Sequence, residues 1–374
     1  MAPVIDTRAL RERLDESLDL LRDTFTVDPH GSGGGWYHEL GAPEPGATAT
    51  ALGLMAFAGA RAPFAHFDDG LAFLTARQLR HRSPLVDGGW ATKTSMKQPV
   101  VEATAWVARF LAVSRCDLTD GAPDVRRAYD WLTANQNADG GWGSMHGCAS
   151  RVWPTCLALR ALVQLDPHAP EVGRGVEWLL AHRVRAGTVW AEVPGGRPEV
   201  THTAFALRTL TEARPGLTAD RLVDAYDWLE HELTNAGRGE RYAQIEYYTV
   251  EHSAQRSSWR LTLWHYGLPL ALSALLHHPR GAPGAVICDA FGTLVRSGVR
   301  DAPWRELTND TTSLWSVWWC VEALSDIMRF PAAGLGDTLE WRPDSVVVHR
   351  AEARPQPPAR RRLRRLAGRH WAGL

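Results

Sequence analysis

The sequence predicts an all-α fold, an (α/α)6 toroid in which six helical hairpins form two concentric rings. A glycine-rich turn that ends in tryptophan recurs at Trp36, Trp90 and Trp142, at spacings that suit two helices plus their loops. Charged amphipathic segments alternate with nearly continuous apolar ones, as expected when an outer ring faces water and covers a buried inner ring. A closed ring also lets 374 residues form one body, because each repeat packs against its neighbours.

The first helix of each hairpin is amphipathic and charged, and an aromatic-leucine signature marks most of these helices. The series starts with RALRERLDESLDLLRDTF and continues around Phe73, Trp131, Trp178 and Trp228. The second helices are apolar and begin near a repeated threonine, at Thr50, Thr104, Thr155, Thr203, Thr262 and Thr312. Weaker copies of the turn end at Trp190 and Trp304, and a degenerate copy lies near Tyr242. We therefore expect a six-hairpin toroid over residues 1–330, followed by a C-terminal extension with a short basic tail over 331–374.

The best single copy of the repeat is RAYDWLTANQNADGGW, from Arg127 to Trp142. Its glycines allow a tight turn with positive φ, and the Gln136 amide can bridge backbone groups of that turn. The segment resembles the aromatic-Leu, Gln-xxx-Gly-x-Trp repeat of the terpenoid cyclase and protein prenyltransferase superfamily. This resemblance covers about residues 5 to 330. It implies the toroid fold more strongly than any activity, because non-catalytic toroids share the architecture.

The resemblance implies a candidate proton donor. Class II terpene cyclases protonate an isoprenoid with an aspartic acid of a DxDD or DxDTT motif at the start of an inner helix. In the fourth repeat, EVTHT at 199–203 has Thr201 in place of that acid. In the sixth repeat, TNDTT at 308–312 puts Asp310 on the donor position, although Asp310 could instead cap the last inner helix. Glu102 occupies the equivalent place in the second repeat, as a second candidate acid or an ordinary first-turn charge.

Cationic residues near the turns suggest a site for a diphosphate group. Lys93 and Lys97 are the only lysines of the chain, and Arg151, Arg256 and Arg260 lie at comparable places in other repeats. Together they could form a cationic rim around an apolar cavity. The alternative is an ordinary solvated loop. No cofactor is expected, except Mg²⁺ if the substrate is a diphosphate, and the cysteine spacings do not predict a metal site.

Aromatic side chains on the predicted inner helices are candidate substrate contacts. An aromatic wall stabilises a carbocation through cation–π attraction, although each residue alone would be expected to pack in the core. The candidates are Trp106, Trp153, Trp264, Trp315, Trp318 and Trp319.

The tail from Arg350 to Arg369 contains eight arginines and one acid, so a basic appendage follows an acidic body. Its leucines and Trp371 fall roughly on one helical face, which favours peripheral contact with an anionic membrane; a disordered basic tail is the alternative. The acidic body argues against nucleic-acid binding. The start of the chain does not resemble a signal peptide, so we expect a cytoplasmic protein with membrane association as an option.

Two hypotheses about function follow. The first is a class II terpene cyclase-like enzyme that acts on a linear isoprenoid, as a diphosphate, inside an aromatic-lined toroid. The second is a non-catalytic toroid that binds a hydrophobic ligand or a partner protein. The resemblance implies that an active form would require a homodimer or a partner subunit, since the larger cyclases of the superfamily close their cavity with a second domain and its protein prenyltransferases use a second subunit.

Overall fold

The structure of the chain is a computed structural model. The described residues are 4–27, 33–42, 44–92, 96–114, 123–185, 187–214, 217, 221–235, 243–252, 257–296, 299, 312–329 and 340–341.

Twelve helices occur in the described part of the chain, and they alternate between an outer and an inner ring. The outer helices are α1 (Thr7–Asp23), α3 (Phe67–Arg77), α5 (Pro123–Ala134), α7 (Pro170–Ala181), α9 (Val223–Asn235) and α11 (Gly284–Arg296). The inner helices are α2 (Ala47–Ala60), α4 (Val101–Ser114), α6 (Val152–Leu165), α8 (Val200–Ala213), α10 (Gly267–Leu275) and α12 (Leu314–Arg329). Most residues of the inner helices are buried, whereas outer helices such as α1 bury only one face. The predicted six-hairpin toroid is confirmed.

The inner ring is closed. Each inner helix packs against the next, and α12 packs back against α2. Backbone hydrogen bonds tie the start of an inner helix to the turn of the following repeat, as from Val101 N–H to the Ser144 carbonyl and from Val152 N–H to the Glu192 carbonyl. The Leu314 N–H donates to the His38 carbonyl in the same way and closes the circle. The N-terminal ends of these inner helices therefore gather at one end of the ring.

Each well-formed turn is fastened to both helices of its hairpin by its tryptophan. The Trp142 indole N–H donates to the Leu132 carbonyl on the outer helix at 2.8 Å, and the Trp142 backbone N–H donates to Thr155 Oγ1 on the inner helix at 2.9 Å. The same two contacts recur for Trp36, Trp90 and Trp190. In these four hairpins the repeated threonine thus holds the turn to the inner helix, because its hydroxyl accepts a hydrogen bond from the tryptophan backbone N–H.

The turn glycines have the backbone conformation that the sequence predicts. Gly88 and Gly140 lie at φ values of 93° and 94°, a region that L-residues other than glycine rarely enter. A side chain at Gly88 would also meet the Arg127 carbonyl oxygen at 2.5 Å. Gln136 bridges the turn as expected, because its amide donates to the Gly140 carbonyl at 2.8 Å.

We expect Thr155→Val to destabilise the protein by about 1–3 kcal/mol. Valine has nearly the same shape, but it leaves the buried Trp142 N–H without its acceptor. The free energy of unfolding, measured by urea denaturation, checks this. Thr133→Val on the outer helix α5 is the matched control, since it removes only hydroxyl contacts to carbonyls of the same helix and should change stability by less than about 0.5 kcal/mol. Equal losses of unfolding free energy in the two variants would contradict the role of the Thr155 hydroxyl in holding the turn to its inner helix.

The fifth repeat departs from the prediction. An inner helix was expected from Thr262, but this stretch is strand β5 (Ser257–Tyr266), paired antiparallel with β4 (Ala243–His252) over ten residues each. Helix α10 begins only at Gly267 and has 9 residues. The prediction was wrong because an apolar run rich in aromatic and β-branched residues can form a helix or a strand. Pairing with β4 stabilises the strand here.

Four short strands complete the described fold. Strand β2 (Thr26–Val27) pairs antiparallel with β3 (Gly34–Gly35) beside the first turn. Strand β6 (Glu340–Trp341) pairs in parallel with β1 (Val4–Ile5), which joins the two ends of the described chain. The basic tail lies outside the described residues, and the domain division at residue 330 stays a prediction.

Candidate functional site

The centre of the inner ring contains three successive layers of side chains. We name them the entrance layer, at the N-terminal ends of the inner helices, the aromatic layer below it, and the ionic layer towards the C-terminal ends. On α4 the three layers are represented by Glu102, Trp106 and Arg109. Seven residues of α-helix rise by about 10 Å, which sets the distance from the first layer to the third.

The entrance layer comprises Glu102, Arg151, Glu192, Glu199 and His202. Glu102 stands in the first turn of α4 and is partly exposed. Burial raises the pKa of Glu102 to about 7; the Arg151 guanidinium opposes this rise, and the Glu192 carboxylate adds to it. Near neutral pH a large fraction of Glu102 therefore holds a proton.

The rest of the entrance layer is a chain of close contacts between charged side chains and the His202 imidazole. Arg151 pairs with Glu192 and donates to Ser144 Oγ at 2.8 Å. Glu192 in turn lies 2.5 Å from His202 Nε2, and the other imidazole nitrogen, Nδ1, lies 2.5 Å from Glu199 Oε2. His202 is fully buried, so its ring is held between two carboxylates. The Arg151 charge is thus neutralised within the protein.

The aromatic layer joins helices from opposite sides of the ring. Trp106 on α4 contacts the α12 indoles, with ring centroids 5.8 to 5.9 Å apart, and Trp153 on α6 lies 6.2 Å from Trp319. Phe205 on α8 lies 4.5 Å from Trp153. These rings pack against one another, and most are almost fully buried. The members of the layer are Trp106, Trp153, Phe205, Trp315, Trp318 and Trp319.

The ionic layer closes the opposite end of the ring. Arg160 binds Glu212 at 2.7 Å and Glu322 at 3.3 Å, and Arg109 binds Glu212 at 2.8 Å. Burial opposes the charge of Arg160, but the two carboxylates outweigh it and raise its pKa. Burial likewise opposes the Glu212 carboxylate, yet Arg109 and Arg160 hold the pKa of Glu212 well below its usual range. Arg160 and Glu212 therefore stay charged together.

A second part of the ionic layer links α8, α10 and α12. Arg208 lies 3.1 Å from Asp326, and Ser273 donates to the same carboxylate. The Arg208 guanidinium also lies 2.6 Å from His277 Nε2. Burial first, and Arg208 second, lower the pKa of His277 to about 4, so this imidazole is neutral at physiological pH. The ionic layer contacts the aromatic layer, since the Arg160 guanidinium lies 5.4 Å from the centre of the Phe205 ring.

The structure brings part of the predicted site together. Glu102, Arg151 and five of the six predicted tryptophans meet inside the ring, whereas Lys97 is exposed beside the start of α4. Arg260 and Trp264 lie on strand β5, so the assignment of Trp264 to an inner helix was wrong. The predicted residues that lie outside the described part of the chain are Asp310, Lys93 and Arg256.

Sequence reasoning missed Glu192, the role of His202 and the whole ionic layer. One signal was available for the ionic layer. Arg109, Arg160 and Arg208 each follow the repeat threonine by five residues, in three consecutive repeats and in otherwise apolar helices. A charge that recurs on a buried face indicates an ionic network inside the ring.

Two further properties concern metals and membranes. Within the described ranges, no group of three or more histidine, cysteine, aspartate or glutamate side chains is arranged to hold a metal ion. Among the same residues, no helix combines the length and apolar character that crossing a bilayer requires.

Comparison with known proteins gives one relative by sequence. The squalene–hopene cyclase of Bradyrhizobium diazoefficiens is 30% identical over 168 residues, which is 41% of this chain and 24% of the cyclase. The chain thus spans about a quarter of the length of this curated relative. No family model matches the chain.

Solved structures share the fold over most of the chain. The type II terpene cyclase MstE from Scytonema has a TM-score of 0.56 at 16% identity, covering 86% of this chain and 97% of its own. MstE has also been solved with geranylgeranyl dihydroxybenzoate as substrate and with merosterolic acid A as product. An α-1,6-mannanase from Salegentibacter has a TM-score of 0.53 at 8% identity, covering 86% of this chain and 99% of its own. The fold is therefore shared by enzymes of unlike chemistry.

Sequence similarity to a squalene–hopene cyclase and the fold of a type II terpene cyclase together confirm the resemblance to the terpenoid cyclase superfamily that the repeats predicted.

Proposed function

We propose that this protein is a class II terpene cyclase-like enzyme that cyclises an isoprenoid by protonation inside the toroid. The observation that carries the proposal is the position of Glu102. This carboxyl group holds a proton near neutral pH and stands one helical turn, about 6 Å, above the aromatic layer at Trp106. A general acid works best when its pKa lies near the operating pH.

The geometry suits the two demands of the reaction. The Glu102 carboxyl proton would pass to an alkene carbon, which leaves a carboxylate and a carbocation on the ligand. Indole faces of the aromatic layer, directly below, would stabilise that cation. Loss of a proton from the cyclised cation completes the balance. MstE, which shares the fold, acts on a geranylgeranyl compound, and this supports an isoprenoid as the ligand class.

The finer parts of the proposal rest on the sequence. Asp310 stays a candidate proton donor beside Glu102, and the basic tail a candidate membrane contact of a cytoplasmic protein. A diphosphate substrate, with Mg²⁺, depends on Lys93, Lys97, Arg256 and Arg260, because Arg151 is already paired with Glu192. A homodimer or partner subunit would complete the entrance.

The second candidate function is a non-catalytic toroid that binds a hydrophobic molecule or a partner. Close packing within the aromatic layer favours it, since Trp106, Trp153 and Trp319 are at most 5% exposed. A ligand could enter this layer only if indole side chains change their rotamers.

Product analysis in deuterated water tests the proposal. Squalene, geranylgeraniol and geranylgeranyl diphosphate are incubated separately with the protein, and the extracts are examined by gas chromatography and mass spectrometry. We expect a cyclised product from at least one of them, carrying one deuteron delivered by the acid. Asp310→Asn, assayed in parallel, decides whether that residue is needed. If all three substrates are recovered unchanged, the enzyme proposal fails and the binding toroid replaces it.

A further inference from the structure

The aromatic layer contains buried hydrogen-bond donors that the protein itself does not satisfy. Among the described residues, the indole nitrogens Nε1 of Trp106 and Trp318 have no hydrogen-bond partner, although the two side chains are only 1% and 4% exposed. Their rings cross edge to face with centroids 5.9 Å apart. A buried indole N–H usually finds an acceptor, because burying it without one costs about 1–3 kcal/mol.

The tryptophans of the turns show what the same chain does elsewhere. In Trp36, Trp90, Trp142 and Trp190 the indole N–H donates to a leucine carbonyl at 2.7 to 2.8 Å. The turn tryptophans are thus satisfied by protein. The two donors inside the ring are not, and among the indole nitrogens of the described residues they share this only with Trp228 Nε1 on the outer helix α9. This contrast points to a ligand acceptor in the aromatic layer.

Further down the ring, the ionic layer offers a third donor of the same kind. Arg160 is 1% exposed, and its Nη1 has no hydrogen-bond partner among the described residues. Its guanidinium lies over the Phe205 ring, at the boundary between the two layers. Nitrogen donors therefore remain unsatisfied in both the aromatic layer and the ionic layer beneath it.

We propose that the toroid binds an oxygenated isoprenoid, whose acceptor oxygen receives hydrogen bonds from the indole N–H groups of Trp106 and Trp318. The acceptor belongs to the ketone, ether or epoxide class. A pure hydrocarbon in the same layer leaves both donors unsatisfied, so the site discriminates against it. The inference rests on the proposed function, because it names the class of ligand that would bind at the centre of the inner ring.

Equilibrium binding separates the two ligand classes without requiring turnover. Farnesylacetone, an isoprenoid ketone, and the hydrocarbon with the same carbon skeleton are equilibrated with the protein by dialysis and measured by mass spectrometry. We expect the parent protein to bind the ketone at least about tenfold more tightly. Each of Trp106→Phe and Trp318→Phe, which keep an aromatic ring but remove the N–H, should lower the ketone affinity about fivefold and leave hydrocarbon affinity within twofold.

Trp315→Phe is the matched control, because it shortens an indole of the same layer whose nitrogen is not among the buried unsatisfied donors. It should change the affinity of both ligands by the same factor. Equal binding of ketone and hydrocarbon by the parent protein, or an unchanged ketone preference in Trp106→Phe and Trp318→Phe, would overturn the inference. In that case the N–H groups donate to neighbouring indole faces. If neither ligand binds, the lumen is not an isoprenoid site, and the proposed function fails with the inference.

Discussion

Glu102→Gln is expected to reduce cyclisation by about 10²- to 10⁴-fold, the usual contribution of a general acid. Glutamine keeps the shape of the side chain and its position in the first turn of α4, but it has no proton to donate to an alkene. The rate of product formation from the best substrate of the parent protein measures the effect. Glu177→Gln is the matched control, since this exposed glutamate pairs only with the exposed Arg214 among the contacts described. It should keep nearly full activity.

The pH dependence of the parent enzyme gives a second readout. Only protonated Glu102 can act as the acid, so kcat/KM should fall as the pH rises through about 7. Removing the Glu192 charge by Glu192→Gln removes an influence that raises the pKa of Glu102. Glu192→Gln should therefore shift the fall of kcat/KM to lower pH. A rate that is flat between pH 5 and 9, or a Glu102→Gln variant with parental activity, would contradict the assignment.

Protein stability reports the same protonation without any substrate. The folded-state pKa of Glu102, about 7, lies above its ordinary value of 4.5, so the folded protein holds this proton more tightly than the unfolded chain does. The stabilisation is full below about pH 4.5 and is lost as the pH rises to about 7. Its size is about 3 kcal/mol. Urea denaturation at pH 5 and pH 8 should show this loss in the parent protein and not in Glu102→Gln.

Arg160→Met is expected to destabilise the protein by about 3–5 kcal/mol. The guanidinium is 1% exposed and pairs with Glu212 and Glu322, so its removal leaves two partly buried carboxylates with too little compensating charge. Urea denaturation at neutral pH measures the free energy of unfolding. The double variant Arg160→Met with Glu212→Gln should recover part of the loss, because it also removes one of the uncompensated charges.

The exposed pair of Arg214 and Glu177 provides the control for this prediction. Both side chains are more than half exposed, so Arg214→Met should cost less than about 1 kcal/mol. If Arg160→Met cost no more than this control, the ionic layer would not contribute to holding the inner ring together.

The repeat could be predicted from the sequence because its interactions are local. The leucine carbonyl that accepts from a turn tryptophan's indole and the threonine hydroxyl that accepts from its backbone N–H each lie within about 16 residues of that tryptophan. Leu74 and Thr104 stand in this relation to Trp90. The same residues recur in several hairpins, so the helical hairpins and the buried inner ring could be predicted from the sequence pattern alone. The fifth repeat was the exception, since its apolar run suits a strand as well as a helix.

The tertiary structure alone decided the chemistry at the centre of the ring. Arg160 meets Glu322 across 162 residues of sequence, and Trp106 meets Trp318 across more than 200. The protonation of Glu102 depends on burial and on charges that Arg151 and Glu192 bring from later repeats. Hydrogen bonds within one hairpin repeat with the sequence, so the sequence reveals them. Desolvation and ion pairing inside a closed ring depend on side chains from several repeats at once, and only ring closure determines which of them meet.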